Sequence, residues 1–417
     1  MKKRVLIIGG GVIGLCTAYY CAQRGYAVTI MERNPAQRDG CSFGNAGMVV
    51  PSHFVPLAAP GAVLLALKWM WNPVSPFYLK PRLSWELFTW SLQFWRAANA
   101  EHVRRAAPLL REMGLASRAA YGELAALPDT NFGFVKKGLL MLCKERHTLD
   151  EEAKLAELAH SLDMPAVVFD AQQTAALDPN VRMDVAGSVY FPLDCHLVPH
   201  RFLAALEKKL HELDVRWVWN APATGWRRQG TTILAVRSHG TEYEADEFVL
   251  CGGVWSQNVV RELDLHLPMQ AGKGYSLTLP HPRQLPQICA IFSEARVAVT
   301  PMDGSLRFGG TMEIAGLNED INHARVRGII AAIPRYYPDF CAEDFDGIRP
   351  WHGLRPCSPD GLPFIGRTAK YANLSVAAGH SMMGMSLGPV TGRLVAEILS
   401  GEKPPWDLTL LSPDRYG

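Results

Sequence analysis

Residues 5–8 form a short unbroken apolar run, as a strand covered on both faces requires. Residues 12–24 then space their apolar positions for a helix that stops at Gly25, and a second apolar run at 28–31 ends on Glu32. The pattern predicts strand, helix and strand within the first 32 residues. Residues 54–100 are apolar and aromatic with helical spacing, interrupted by prolines at 56, 60, 73, 76 and 81. Amphipathic helices are expected at 101–127 and 148–163 around a strand at 138–143, with a further helix at 199–213 that has Pro199 near its start. Strands follow at 215–219, 231–237 and 247–251. Between 274 and 310 the pattern turns strand-rich, in the runs YSLTL, CAIF, RVAVT and LRFGG. A helix is expected at 323–337, and residues 374–399 read as strand, Gly-rich loop and helix.

This alternation predicts a discontinuous α/β + α+β layout. One α/β domain is assembled from 1–52, 170–266 and 348–417, and an α+β domain is inserted as 53–169 and 267–347. The 417 residues suffice for two such domains, and 48% hydrophobic with 20% charged residues is ordinary globular composition. A net charge of +2 gives no basic surface for nucleic acid. The nine cysteines are odd in number and form no C-x-x-C pair, so neither a disulfide framework nor a metal site is expected. Reduced thiols fit a cytoplasmic setting. The opening MKKR precedes an apolar run that Gly9-Gly10-Gly11 breaks at once, which reads as a buried strand and not as an export signal.

Gly9, Gly11 and Gly14 form G-x-G-x-x-G directly after the first strand and at the start of the helix. Glycine there lets backbone amides approach a pyrophosphate, which the helix N-terminus stabilises. Glu32, with Arg33 beside it, ends the second strand, where a carboxylate holds ribose hydroxyls and disfavours a 2′-phosphate. The loop 40-GCSFGNAGMV-49 brings small residues with Ser42, Asn45, Ala46 and Gly47. The turn 379-GHSMMGMSLGPVTG-392 aims a helix start, with Gly384, Met385 and Ser386, at an anion. Together these extend the reading from an ADP half to a flavin, that is, FAD.

At this point the chain resembles the D-amino acid oxidase and glycine oxidase superfamily of flavoproteins, nearest to its bacterial D-amino acid dehydrogenase small-subunit branch. The motifs that carry the resemblance are the N-terminal unit, SFGNAG with PSHFVPLAAPG, 272-GKGYSLTLP-280, and 353-GLRPCSPDGLPFIG-366 with 379-GH. The stretch 246-DEFVLCGGVWS-256 is similar to the family strand that returns to the FAD domain. The resemblance implies a Rossmann-like FAD-binding domain with an inserted antiparallel-sheet substrate domain, and non-covalent FAD. It implies oxidation of an amino acid at its Cα–N bond. Arg355 would anchor the substrate carboxylate, Tyr275 would offer it a hydroxyl, and His380 would contact substrate or flavin, with His53 a weaker candidate. Ala223 and Gly252 would lie at the nucleotide. Lys273 shares a strand face with Tyr275 by alternation, and Cys357 is expected to be structural.

The chain departs from the family pattern at 48–54 and at Ser381–Met385, both expected near the substrate. The Met-rich loop and the lack of an evident charged pocket residue favour D-proline, cis-4-hydroxy-D-proline or small apolar D-amino acids. The alternatives are a glycine/sarcosine-type oxidase using oxygen and a non-catalytic flavin-binding interaction subunit. Five of eleven tryptophans (69, 71, 85, 90, 95) fall in one segment. They either pack the inserted domain or form an apolar patch at the inner face of a membrane, toward a quinone or carrier acceptor.

Overall fold

The computed structural model describes residues 2–69 and 75–417. The first apolar run becomes the strand Arg4–Ile8, parallel to Ala27–Met31 on one side and to Glu247–Leu250 on the other. Arg216–Val218 and Leu374–Ala378 continue this sheet in parallel, and Phe364–Arg367 closes one edge antiparallel. The helix Val12–Gln23 is apolar around most of its circumference because it is enclosed: the helices Pro199–Glu212 and Gly384–Leu399 pack on it.

Two glycines set how close this packing is. A Cβ on Gly14 would fall 1.9 Å from the Gly9 carbonyl oxygen, so the helix can start tight against the turn only with glycine there. A Cβ on Gly392 would fall 2.4 Å from the Cys16 carbonyl carbon. The C-terminal helix therefore lies backbone to backbone against the first one.

Among the described residues the second sheet has nine strands. From one edge it runs Trp351–Cys357, Gln270–Leu279, Ser305–Ile314, Val297–Met302, Cys289–Phe292, Leu139–Cys143, Gly187–Phe191 and Val167–Asp170, with Phe77–Leu79 paired off this path. It is mixed where antiparallel was expected. Cys289–Phe292 runs parallel to Leu139–Cys143, and Phe77–Leu79 runs parallel to Ser305–Ile314. The helix His323–Tyr336 covers one face over a core of Leu277, Phe308, Ile329 and Ile333.

The expected boundaries at 170 and 348 do not match the sheets. Gly187–Phe191 pairs with Leu139–Cys143, and Trp351–Cys357 pairs with Gln270–Leu279, so both belong to the second sheet. Short apolar runs fit either sheet, and only long-range pairing decides between them. The second crossing matters because Trp351–Cys357 carries Arg355.

The tryptophan-rich segment folds as the helix Ala62–Trp69, the strand Phe77–Leu79 and the helix Trp85–Ala97; Trp71 lies outside the described residues. Ser84 caps the last helix by accepting from the Leu87 amide at 3.2 Å. Trp90 is buried and donates to the Cys357 carbonyl at 2.9 Å. Trp85 and Trp95 are 74% and 63% exposed, so the segment both packs and presents a face outward. Among the described residues no helix is long and apolar enough to cross a membrane.

Gly392→Ala should destabilise the fold by about 1–3 kcal/mol, the usual cost of forcing extra atoms into a packed interior. Gly40→Ala, where an added Cβ meets nothing within 4 Å, serves as control. Thermal unfolding followed by circular dichroism checks this; equal midpoints for the two variants would contradict the close helix contact.

Candidate functional site

One cavity of about 1030 Å³ joins the two sheets. Gly9–Val12, Glu32, Arg33, Ala223 and Gly252 line one end. Ser42, next to Val12, leads from there to Phe43–Ala46, Arg355 and the 380–386 turn, which line the rest. At the first end Glu32 is buried, and its two carboxylate oxygens accept from the Gly10 amide at 2.7 Å and the Asn34 amide at 2.9 Å. Each oxygen keeps a further lone pair for a hydroxyl donor. Ser42 Oγ accepts from the Val12 amide at 3.1 Å, which ties the 40–49 loop to the helix start. Arg38 braces the same turn: its guanidinium donates to the Gly10 carbonyl at 3.1 and 2.8 Å and pairs with Glu207 at 2.5 Å. Arg33 stacks over Trp255, 3.7 Å from the ring centroid.

Gly14 and Gly47 do not face the cavity. Gly14 serves the helix–turn contact, and Gly47 lies where the loop crosses the Leu197 carbonyl, 2.2 Å from the Cβ position. Asn45 spends its side-chain oxygen on the Gly47 amide at 2.8 Å and is held through its own carbonyl by Arg307 at 2.7 Å. Ala46 remains on the cavity wall. At the C-terminal helix Gly384, Met385 and Ser386 border the cavity, no side chain caps the N-terminus, and Ser386 Oγ accepts from the Val50 amide at 2.8 Å. Two helix starts thus meet one space, and the residues present fit an FAD. Glu32 and the Gly9–Val12 turn would hold its ADP part, and Ala46 with the 384–386 turn its ring system. When bound, FAD supplies a two-electron acceptor.

Arg355 lies on the strand Trp351–Cys357, and its guanidinium crosses the face of Gly274. It donates to the Thr311 carbonyl at 2.7 Å and pairs with no carboxylate among the described residues. Its fork is therefore available to an anion in the cavity. Two hydroxyls that sequence reasoning missed stand beside it. Thr311 and Ser381 are buried cavity residues whose hydroxyls have no partner, and both hold positive φ, 64° and 51°. A β-branched residue in that region costs energy, and a buried hydroxyl without a partner costs more, so both mark a place where a ligand is expected. No sequence pattern signals a left-handed threonine.

Tyr275 requires a correction. It borders the cavity, yet its side chain packs with Leu277 and Phe308 under the covering helix, the face opposite to Arg355. Its hydroxyl donates to Glu313 at 2.7 Å and accepts from the Asn322 amide at 3.1 Å. Lys273 does share that face, as alternation implied, but it is buried and bonded to Asn318 at 2.7 Å and the Asp320 carbonyl at 2.6 Å. Neither side chain is free for a substrate. His380 lines the cavity with Nε2 3.0 Å from Thr391 Oγ1, and burial pushes its imidazole down to about 3, so it stays neutral. The Cys357 thiol is buried beside Gly272 and Met312, outside the cavity wall, and burial pushes it up to about 11. The expectation that the pocket holds no further charged residue also fails, because Arg296 lines the cavity.

Glu32→Ala should weaken FAD binding about tenfold, because one charge-assisted contact to ribose is lost. Flavin fluorescence during titration of apoprotein measures it; unchanged affinity in a folded variant would remove Glu32 from the nucleotide site.

Comparison with known proteins agrees with this geometry. The DAO family, described as FAD dependent oxidoreductase, matches residues 4–398. The D-amino acid dehydrogenase of Bradyrhizobium diazoefficiens is 32% identical, with 99% of each chain covered. That of Vibrio atlanticus is 31% identical, again over 99% of both. Among solved structures, glycine oxidase from Geobacillus kaustophilus superposes with a TM-score of 0.79 at 22% identity, covering 100% of both chains. L-proline dehydrogenase from P. horikoshii gives 0.76 at 16% identity, covering 100% of this chain and 98% of that one. A family match across nearly the whole length, on a chain whose glycine turn, terminal acid and two helix starts fit the cofactor, has one consequence: this chain belongs to the DAO family of FAD-dependent oxidoreductases.

Proposed function

We propose that the chain oxidises the Cα–N bond of a D-amino acid with non-covalent FAD, and that cyclic or small apolar substrates such as D-proline and cis-4-hydroxy-D-proline suit it best. The unpaired Arg355 guanidinium in the cavity carries this reading. A carboxylate on that fork fixes one end of the substrate and lets the chain orient the bond to be broken. The surrounding wall of Met48, Val50, Met141, Ile291 and Ala298 favours a compact apolar body. The curated relatives above share the name D-amino acid dehydrogenase, which supports an acceptor other than oxygen.

A second observation supports contact with a lipid bilayer. Leu64, Leu67, Leu83, Trp85, Phe88 and Trp95 are exposed beside the part of the cavity lined by Val63, Leu65 and Phe94. Lys68, Lys80 and Arg96, also exposed, add positive charge there. A bilayer with anionic lipid matches both features, and a quinone or carrier in it would take the electrons.

Arg355→Ala should raise KM strongly, since it removes a charge-assisted anchor of roughly 1.5–3 kcal/mol. Anaerobic bleaching of the flavin across an amino-acid panel tests the substrate reading; turnover of D-Arg or D-Glu with none of the imino acids would overturn it. Peroxide release in air would indicate an oxidase instead. For the bilayer, flotation with vesicles containing anionic lipid should carry the protein upward, and Trp85→Glu with Trp95→Glu should abolish this; no flotation of the native chain would sink the idea.

A further inference from the structure

His53 is half-buried in the cavity wall, and behind it runs a short hydrogen-bonded chain that the reaction outlined above does not use. Ser52 Oγ lies 3.1 Å from His53 Nδ1 and 2.5 Å from Asp194 Oδ2, and the Ser52 amide donates to Asp194 Oδ1 at 3.1 Å. Asp194 is fully buried and forms no salt bridge among the described residues. With Asp194 ionised, hydrogen counting fixes the direction of the chain. An ionised carboxylate only accepts, so the single hydroxyl hydrogen of Ser52 goes to Asp194. Ser52 Oγ can then only accept from His53, which places the imidazole hydrogen on Nδ1. A neutral imidazole carries one such hydrogen, so Nε2 is left as an acceptor.

Arg296 shares that cavity. It holds φ 52°, lines the same cavity at its exposed edge and makes no salt bridge among the described residues. Its charge adds to burial in pushing His53 down to about 4, so His53 is neutral at ordinary pH, and the two side chains lie within electrostatic reach of each other in the cavity they both line. Their relation to Arg355 follows from the sheet. Val297 pairs with Gly310, the Arg296 carbonyl lies 3.3 Å from the Gly310 Cβ position, and the next residue, Thr311, holds Arg355. A floor of Gly309 and Gly310 therefore runs between the Arg355 end and the Arg296–His53 end.

Arg296 only donates and His53 Nε2 only accepts. A distal carboxylate would suit Arg296 but meet the bare lone pair of Nε2. A distal ammonium would suit Nε2 but meet the charge of Arg296. A hydroxyl both accepts and donates, and matches the pair. We propose that Arg296 and His53, with His53 oriented by Ser52 and Asp194, select a substrate that carries a hydroxyl on the side of its ring away from the carboxylate. This rests on the D-amino acid reading of the site and extends it from a carboxylate anchor to a second recognition point.

The pair has a pH signature. Burial pushes the Asp194 carboxyl up to about 7, against the Ser52 hydrogen bonds and the charge of Arg118, which pull it down. Tyr190, Cys195 and Cys289 lie within electrostatic reach of Asp194, and Glu152 within reach of Arg296. As pH falls through that range Asp194 gains a hydrogen and gives it to Ser52, Ser52 gives its own to Nδ1, and the imidazole hydrogen moves to Nε2. Both groups at the distal end then donate, and the preference for a hydroxyl weakens.

The test is the ratio of kcat/KM for cis-4-hydroxy-D-proline to that for D-proline, together with the imidazole ¹⁵N shifts of His53 in the FAD-loaded protein. The native ratio should be about ten or more, the fold-change expected when a single hydrogen bond to the substrate is lost, and should decline below about pH 7. His53→Leu and Arg296→Met should each bring the ratio near one. Ser52→Ala and Asp194→Asn should lower it and flatten its pH profile, and the ¹⁵N shifts should show the Nδ1-protonated form only while both residues are native. Oxidation of both substrates with a ratio near one in the native protein, or equal losses on both in the His53 variant, overturns the inference and leaves the D-amino acid reading standing. If neither substrate nor any other D-amino acid reduces the flavin, the functional reading itself fails.

Discussion

The site depends on how closely two helices can approach one turn. The helix Val12–Gln23 begins against Gly9, and the helix Gly384–Leu399 lies on it through Gly392. Because both contacts involve backbone atoms, the relative position of the two helix starts is fixed within narrow limits. Their N-termini, one against the expected pyrophosphate position and one against the expected ring position, carry the positive ends of two macrodipoles. The electrostatics of the cofactor cavity thus follow from packing, and a shift of either helix would spoil both.

The second sheet supplies what the first cannot. Arg355 sits on an edge strand yet acts two strands further in, since glycine at 274 leaves its guanidinium room to reach the Thr311 carbonyl. The irregularity at Thr311 has a visible cost in a left-handed β-branched residue and an unpartnered hydroxyl. Such a cost is held in place by the surrounding sheet and is typical of binding sites. Ser381 repeats it on the opposing turn, where its amide donates to the Pro356 carbonyl at 3.0 Å. Anchor and strained hydroxyls therefore form one cluster drawn from both sheets.

The cofactor end was legible in the sequence because its determinants are local. A glycine turn between a strand and a helix, with an acid at the end of the next strand, needs no knowledge of the rest of the chain. Arg355 was legible by motif, although its freedom from an ion pair could be seen only in three dimensions. Tyr275 shows the limit of strand alternation. The period correctly grouped it with Lys273, but says nothing about which face meets the cavity, and that face proved to be the one under a helix. Arg296, Thr311 and Asp194 left no local mark at all, and Ser381 was marked only as part of a segment that departs from the family pattern. Arg296, Thr311 and Ser381 are distinguished by positive φ without glycine, and Asp194 by burial against a serine distant in sequence. The misassigned strands Gly187–Phe191 and Trp351–Cys357 failed for a related reason, since their apolar pattern suits a strand of either sheet.

The central claim is that one cavity orders an FAD along two helix starts and a small carboxylate on Arg355. A crystal structure of the FAD-loaded protein with pyrrole-2-carboxylate, a planar acid that cannot be oxidised in the same way, tests it most directly. The expected result is ribose hydroxyls on Glu32, the acid's carboxylate forked on Arg355 and its ring over Gly309 and Gly310. A carboxylate bound away from Arg355, with that guanidinium turned to a protein carboxylate, would contradict it.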